Sequence, residues 1–265
     1  MYAFPIGVML DSFLLPTDAS LDAAAAIGAN GIQVYTVEGE RTPENMDAAA
    51  RREFLSKVKD RGMVISALCG DLGKGFTEPE LNPALIERSK RILDLAMDLD
   101  TKIVTTHIGT VPEDKSCDTY KIMQAACREL AEYADSLDAH FAIEPGPEPA
   151  ARLREFLDTL ESTGVAVNYD PANLTMCVAD DAVKGVYELR KYIVHTHAKD
   201  GLRATCPPWN EVPLGKGDVD WDNYLKALED IGYRGFLTIE REAGEDPAKD
   251  ILIAKNHLLD VIANN

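Results

Sequence analysis

Short apolar runs alternate along the chain with longer segments whose apolar positions recur every three or four residues. Eight runs have the length and the β-branched or aromatic content of strands: Phe4 to Met9, Gly31 to Thr36, Val64 to Cys69, Lys102 to His107, His140 to Glu144, Val165 to Asp170, Tyr192 to His197 and Phe236 to Glu240. Eight helical segments separate them. An alanine-rich one covers Ala19 to Ile27 and is closed by Gly28, and Pro43 opens a second that reaches about Lys59. Pro83 opens a third, with Leu85, Ile86, Ile92, Leu93 and Ala96 on one stripe. The others run from about Cys117 to Leu137, Ala150 to Glu161, Asp180 to Arg190, Trp221 to Asp230 and Pro247 to Ile262. Strict alternation leaves an open doubly wound sheet or a closed barrel, and a count of eight predicts the barrel. The expected fold is therefore α/β, a single-domain (β/α)8 TIM barrel over residues 1–265, because no repeat or linker marks a second domain.

The ends of these runs carry the chemistry. Four consecutive ones finish on a metal-ligating residue type: HFAIE at Glu144, VAVNYD at Asp170, YIVHTH at His197 and FLTIE at Glu240. Successive strand side chains alternate between faces, so His195 and His197 project to the same side, His195 one layer below. A barrel collects the ends of many strands at one rim, whereas a doubly wound sheet gathers its site at a single switch point. Four strand ends of this kind again favour the barrel. His107 ends the fourth run at the same rim and is expected to touch substrate, while His140 starts the fifth run and His257 lies in the last helix, both structural. Glu148, four residues after Glu144 in a proline-rich loop, either touches substrate or faces solvent.

Composition narrows the partners. The 265 residues are 46% hydrophobic, enough for one large core, and carry a net charge of −18. Such an acidic surface disfavours nucleic acid and anionic membrane. Cys69, Cys117, Cys127, Cys177 and Cys206 are odd in number and lack a CxxC pair, which speaks against a disulfide framework or zinc knuckle and fits a reducing compartment. The first residues read as a strand and not as a signal peptide, and no apolar window approaches about 18 residues, so the expected location is cytoplasmic.

Two loops after strands are long. Gly70 to Asn82 lacks the ending of a phosphate-binding loop and is expected to be a mobile substrate loop. Asp200 to Asp220 holds Pro207, Pro208 and Trp209, which would make a stiff aromatic lid, and Asp220 before Trp221 is a helix N-cap. Lys199 and Arg203 enter this loop directly after His197. They are the cations placed to hold an anionic substrate, unless local acids already pair with them.

IEP at Glu144, NYDPANL around Asp170, HTHAKDG around His197, PLGKGDVDW and TIERE at Glu240 together resemble the sugar-phosphate isomerase/epimerase superfamily with the xylose-isomerase-like TIM barrel. The resemblance covers essentially the whole chain and is most specific from the fifth strand onward. It implies one divalent metal held by Glu144, Asp170, His197 and Glu240, with Glu144 and Glu240 also serving as the acid/base pair. Asn173 stands where some branches carry His, and is expected to contact substrate. The resemblance further implies a carbohydrate substrate and allows a homo-oligomer.

Elementary chemistry agrees with that implication. Removing a proton beside a carbonyl leaves an enediolate whose charge a divalent cation stabilises. Three carboxylates and one imidazole form a hard, oxygen-rich set suited to Mn²⁺, Mg²⁺ or Co²⁺, with Zn²⁺ also compatible. Two carboxylates flanking the substrate would epimerise it, and one group moving a proton between adjacent carbons would isomerise it. His195, below the ligands, is either a hydrogen-bonded core histidine or a group that orients a ligand or substrate. Three functions remain open: a metal-dependent isomerase or epimerase of a sugar, keto-sugar or sugar phosphate; a dehydratase acting on an inosose-like compound; or a non-catalytic sugar-binding subunit. A three-zinc nuclease is disfavoured by only five histidines and the wrong charge.

Overall fold

The computed structural model describes residues 2–204 and 207–265, so Cys206 lies outside the described residues. Seven strands, β1 (Ile6–Met9), β2 (Gly31–Tyr35), β3 (Val64–Cys69), β4 (Ile103–Thr106), β5 (His140–Ile143), β6 (Val165–Tyr169) and β7 (Ile193–Ala198), are followed by a two-residue antiparallel ladder of β8 (Asp200–Gly201) with β9 (Glu211–Val212), and then by β10 (Leu237–Ile239). β1 to β7 and β10 close into a parallel barrel in the order β1-β10-β7-β6-β5-β4-β3-β2. Strands such as β1 and β6 are buried along their whole length, as expected of a parallel sheet covered by helices. Where strands crowd, only a glycine fits: a Cβ on Gly31 would lie 2.6 Å from the Phe236 ring.

Helices α1 (Thr17–Ala26), α2 (Ala48–Asp60), α3 (Asn82–Asp98), α4 (Asp118–Ser136) and α5 (Ala150–Asp158) surround the first half of the barrel. They are followed by α6 (Pro171–Val178), α7 (Ala182–Leu189), α8 (Trp221–Asp230) and α9 (Pro247–Asn264). Two departures from the sequence pattern have local causes. Pro43 does not open α2; the Asp47 carboxylate does, accepting from the Ala49 and Ala50 N–H groups at 2.9 Å. The short α6 has no long apolar stripe to announce it, and exists because Asp170 caps it and Pro171 supplies its first residue. That makes nine helices among the described residues.

The loop from 70 to 82 is anchored where mobility was expected. Phe76 is buried edge-on against Phe141, its N–H donates to the Ile108 carbonyl, and Asn82 donates to the Phe76 carbonyl. The second long loop is pinned by Asp200. Its buried carboxylate accepts from the N–H groups of Gly201, Gly215, Gly217 and Val219 and from the Trp221 indole. Gly217 is required there, since a Cβ would sit 2.0 Å from that carboxylate. Asp220 caps α8 through the Asn223 N–H. Cys69, Cys117, Cys127 and Cys177 are free thiols. Among the described residues, no helix is long and apolar enough to cross a membrane.

Candidate active site

Consecutive strands β5, β6, β7 and β10 are also neighbours in the barrel, so their ends form one arc of its rim. Glu144, Asp170, His197 and Glu240 meet on that arc, all buried, with one ligand-type atom from each lying within 4.8 Å of the others. His197 Nδ1 faces the three carboxylates, 3.1 Å from Glu240, 3.5 Å from Glu144 and 3.6 Å from Asp170. Burial works against a charged imidazole here, but Glu240 and Glu144 outweigh it and raise the affinity of His197 for a proton. Glu240 mirrors this: burial opposes its charge, and His197 with Lys199 keeps it ionised.

Three of the four, Asp170, Glu144 and His197, are oriented from behind. Asp170 uses Oδ1 to accept from the Ala172 and Asn173 N–H groups, at 2.8 and 3.0 Å, and turns Oδ2 into the cluster. Asp170 Oδ2 is buried and has no hydrogen-bond partner. Asn173 donates to Glu144 Oε1 at 2.7 Å, and Asn168 donates to Glu144 Oε2 at 2.8 Å. Asn168 Oδ1 lies 2.8 Å from His195 Nδ1, and His195 Nε2 lies 2.9 Å from the Thr238 hydroxyl. Burial holds His195 well below the usual imidazole range, so it is neutral, donating through Nδ1 and accepting through Nε2. His197 Nε2 lies 2.9 Å from the Gln33 carbonyl oxygen, and the Gln33 amide donates to Thr105.

A cavity of about 330 Å³ opens over this cluster. His107, Asn173, Lys199 and Trp209 line it, together with Tyr35, Asp71 and Glu242. His107 Nδ1 lies 2.8 Å from Asp71 Oδ2, and its Nε2 lies 3.6 Å from Glu144 Oε1. Burial lowers this imidazole's affinity for a proton, but Glu144 and Asp71 outweigh that and raise it to about 9. The Lys199 ammonium lies 3.0 Å from Glu240 and 3.8 Å from Asp170, and also pairs with Glu242. Two expected contacts are not brought to the cavity. Arg203 is exposed, with its guanidinium donating to the Ala179 carbonyl, and His195 sits a layer below, enclosed by Asn168, Ser66 and Thr238. Glu148 neither touches the cavity nor faces solvent; it is buried and accepts from the Val111 N–H at 2.9 Å.

The model of the xylose isomerase-like TIM barrel family matches residues 21–259. The chain belongs to that family. As a xylose isomerase-like barrel it superposes on a xylose isomerase domain protein from Planctomyces limnophilus with a TM-score of 0.86 and 26% identity, covering 99% of each chain. A relative in Escherichia coli (strain K12), provisionally named an L-ribulose-5-phosphate 3-epimerase, SgbU, is 22% identical over 253 residues, 88% of this chain and 86% of that one. The crystal structure of the IOLI protein with a bound zinc atom shares the fold at a TM-score of 0.81 and 17% identity, covering 98% of this chain and 99% of that one.

Gln33, Asn168, Asp71 and Asp200 are the site and loop residues that the sequence pattern did not single out. The signal for one was present: Asn168 is two residues before Asp170, as His195 is before His197, and so faces the same side.

Proposed function

We propose that this barrel is a divalent-metal-dependent isomerase or epimerase of a sugar, keto-sugar or sugar phosphate, acting by proton abstraction beside a carbonyl. The observation that carries the reading is the buried set of Glu144, Asp170, His197 and Glu240 within 4.8 Å, with Asp170 Oδ2 lacking a hydrogen-bond partner. A buried carboxylate oxygen with no hydrogen bond, beside two further carboxylates, fits a cation in the middle. These four residues would hold Mn²⁺, Mg²⁺, Co²⁺ or Zn²⁺, and a bound zinc in the IOLI protein of the same fold is in keeping with that. When bound, the ion supplies positive charge that stabilises negative charge developing on the substrate's oxygens.

The chain's own residues do the rest. Glu144 and Glu240 lie on opposite ends of the rim arc, so one removes the carbon-bound proton and the other returns one to the opposite face, which inverts that carbon. The two amides on Glu144 fix the direction of its lone pairs. His107, steered by Asp71, and Asn173 bind substrate hydroxyls, and Trp209 covers the mouth. The test is exchange of substrate carbon-bound protons with deuterated solvent, followed by NMR across ketoses and keto-sugars. Glu144→Gln and Glu240→Gln should each lower exchange by about 10²–10⁴-fold in a folded protein. Near-normal exchange in either would sink the paired-carboxylate mechanism.

Dehydration of an inosose-like substrate is a second reading, favoured by one observation. His107 is held by Asp71 with Nε2 3.6 Å from Glu144, where it could protonate a leaving hydroxyl. Loss of water from the product, seen in the same NMR experiment, separates the two.

A further inference from the structure

The arc of metal-ligand residues occupies only one side of the barrel mouth. Over β1, β2 and β10 lies a second cavity of about 510 Å³, larger than the catalytic one. Tyr35, Glu240 and Glu242 line both, so the second chamber lies directly beside the site. A catalytic cavity of about 330 Å³ is at the small end of the ~300–1,000 Å³ usual for ligand cavities. A substrate confined to it would be one small sugar.

The second chamber has the chemistry of a sugar subsite. Met9, Leu14 and Pro247 offer apolar surface, and Tyr35 stands at the junction; C–H faces of a sugar ring pack on such groups. Leu14 is 78% exposed at φ 54°, a left-handed conformation that disfavours leucine, so an apolar side chain is held in solvent at the chamber wall at a conformational cost. Glu38 and Glu40, both exposed, supply acceptors for hydroxyl groups.

Charge then decides against a phosphate. Among the described residues, every cation lining either chamber already has an acidic partner. Arg41 pairs with Asp11, Arg241 with Glu211 and Asp250, Lys199 with Glu240 and Glu242, and His107 with Asp71. Arg203 lines neither chamber. A phosphate dianion in the second chamber would face five carboxylates, of Asp11, Glu38, Glu40, Glu240 and Glu242, against two guanidinium groups that are already paired.

We propose that the substrate is a neutral two-ring compound, a keto-sugar carrying a glycosyl group, with the reacting ring over Glu144 and Glu240 and the second ring in the chamber walled by Asp11, Leu14, Tyr35 and Glu38. The inference rests on the isomerase or epimerase reading and names its substrate class.

A matched series tests it: ketohexoses offered as the free sugar, the 6-phosphate and the 6-O-glucosyl derivative, such as fructose, fructose 6-phosphate and isomaltulose. Affinity is read by titration calorimetry, and proton exchange by NMR with the Mn²⁺-loaded protein. The glucosyl compounds should bind and exchange about tenfold or more better than the free sugars, with the phosphates poorest. Glu38 is exposed and extended, so Glu38→Trp fills the chamber without disturbing the core, and should collapse the ratio of glucosyl to free-sugar kcat/KM toward one. Free sugars or phosphates that match or exceed the glucosyl compounds overturn the two-ring proposal and leave the isomerase reading standing. No exchange with any member, while Mn²⁺ still binds, overturns that reading and this one with it.

Discussion

His197 and Glu148 show how single side chains carry the account. Gln33 accepts from His197 Nε2–H, which leaves Nδ1 facing the carboxylates, and such partners set the direction and basicity of a metal-binding imidazole. Gln33→Leu should weaken Mn²⁺ binding by about 10–100-fold in calorimetry, with the fold intact; unchanged affinity would show that the bond is incidental. Glu148 makes a pH prediction away from the cluster. Burial raises its carboxyl from 4.5 to about 7, against the Val111 N–H, which favours the charged form. The folded chain therefore keeps a proton that the unfolded chain loses, so stability falls as pH rises from 4.5 to about 7 and levels off above that. Glu148→Gln removes this loss, and should gain about 3 kcal/mol on wild type between pH 4.5 and pH 8 in denaturant unfolding. A difference between the two proteins that does not change with pH would contradict it. Residues at strand ends, such as Asp170 and His197, are legible because run length and period place them. Gln33 and Asp71 are not, since their meaning lies in partners 164 and 36 residues away.

At the scale of elements, the loop after β7 depends on one buried carboxylate. Asp200 accepts from four backbone N–H groups and the Trp221 indole, which ties residues 215–221 down beside the ladder of β8 and β9. Asp200→Ala strands these donors in a buried place and should cost about 3–5 kcal/mol in denaturant unfolding. A loss below about 1 kcal/mol would mean that water replaces the carboxylate readily. The eight barrel strands are legible because each is a short apolar run bounded by turn residues. Helix α6 is hidden: eight residues that begin with a proline, without a stripe, look like a loop until Asp170 is recognised as its cap. That double use of Asp170, one oxygen for the helix and one for the cluster, ties the element to the site.

For the whole molecule, closure of the barrel is what brings four strand ends, far apart in sequence, to within 4.8 Å. A net charge of −18 makes the surroundings attractive to a divalent cation and unattractive to polyanions. If a cation binds the folded chain alone, it must also stabilise it: at a hundredfold excess over Kd, by about 2.7 kcal/mol in thermal unfolding. An unmoved transition at saturating metal would contradict binding to the folded state. The most direct test is quantitative metal analysis of wild type and Asp170→Asn, as purified and after chelation and reloading with Mn²⁺. Asparagine caps a helix about as well as aspartate, so the variant keeps α6 and loses only the charge and the free oxygen. The account predicts about one ion per chain in wild type and none in Asp170→Asn. No specific binding in wild type after reloading, or undiminished binding in the variant, would contradict it.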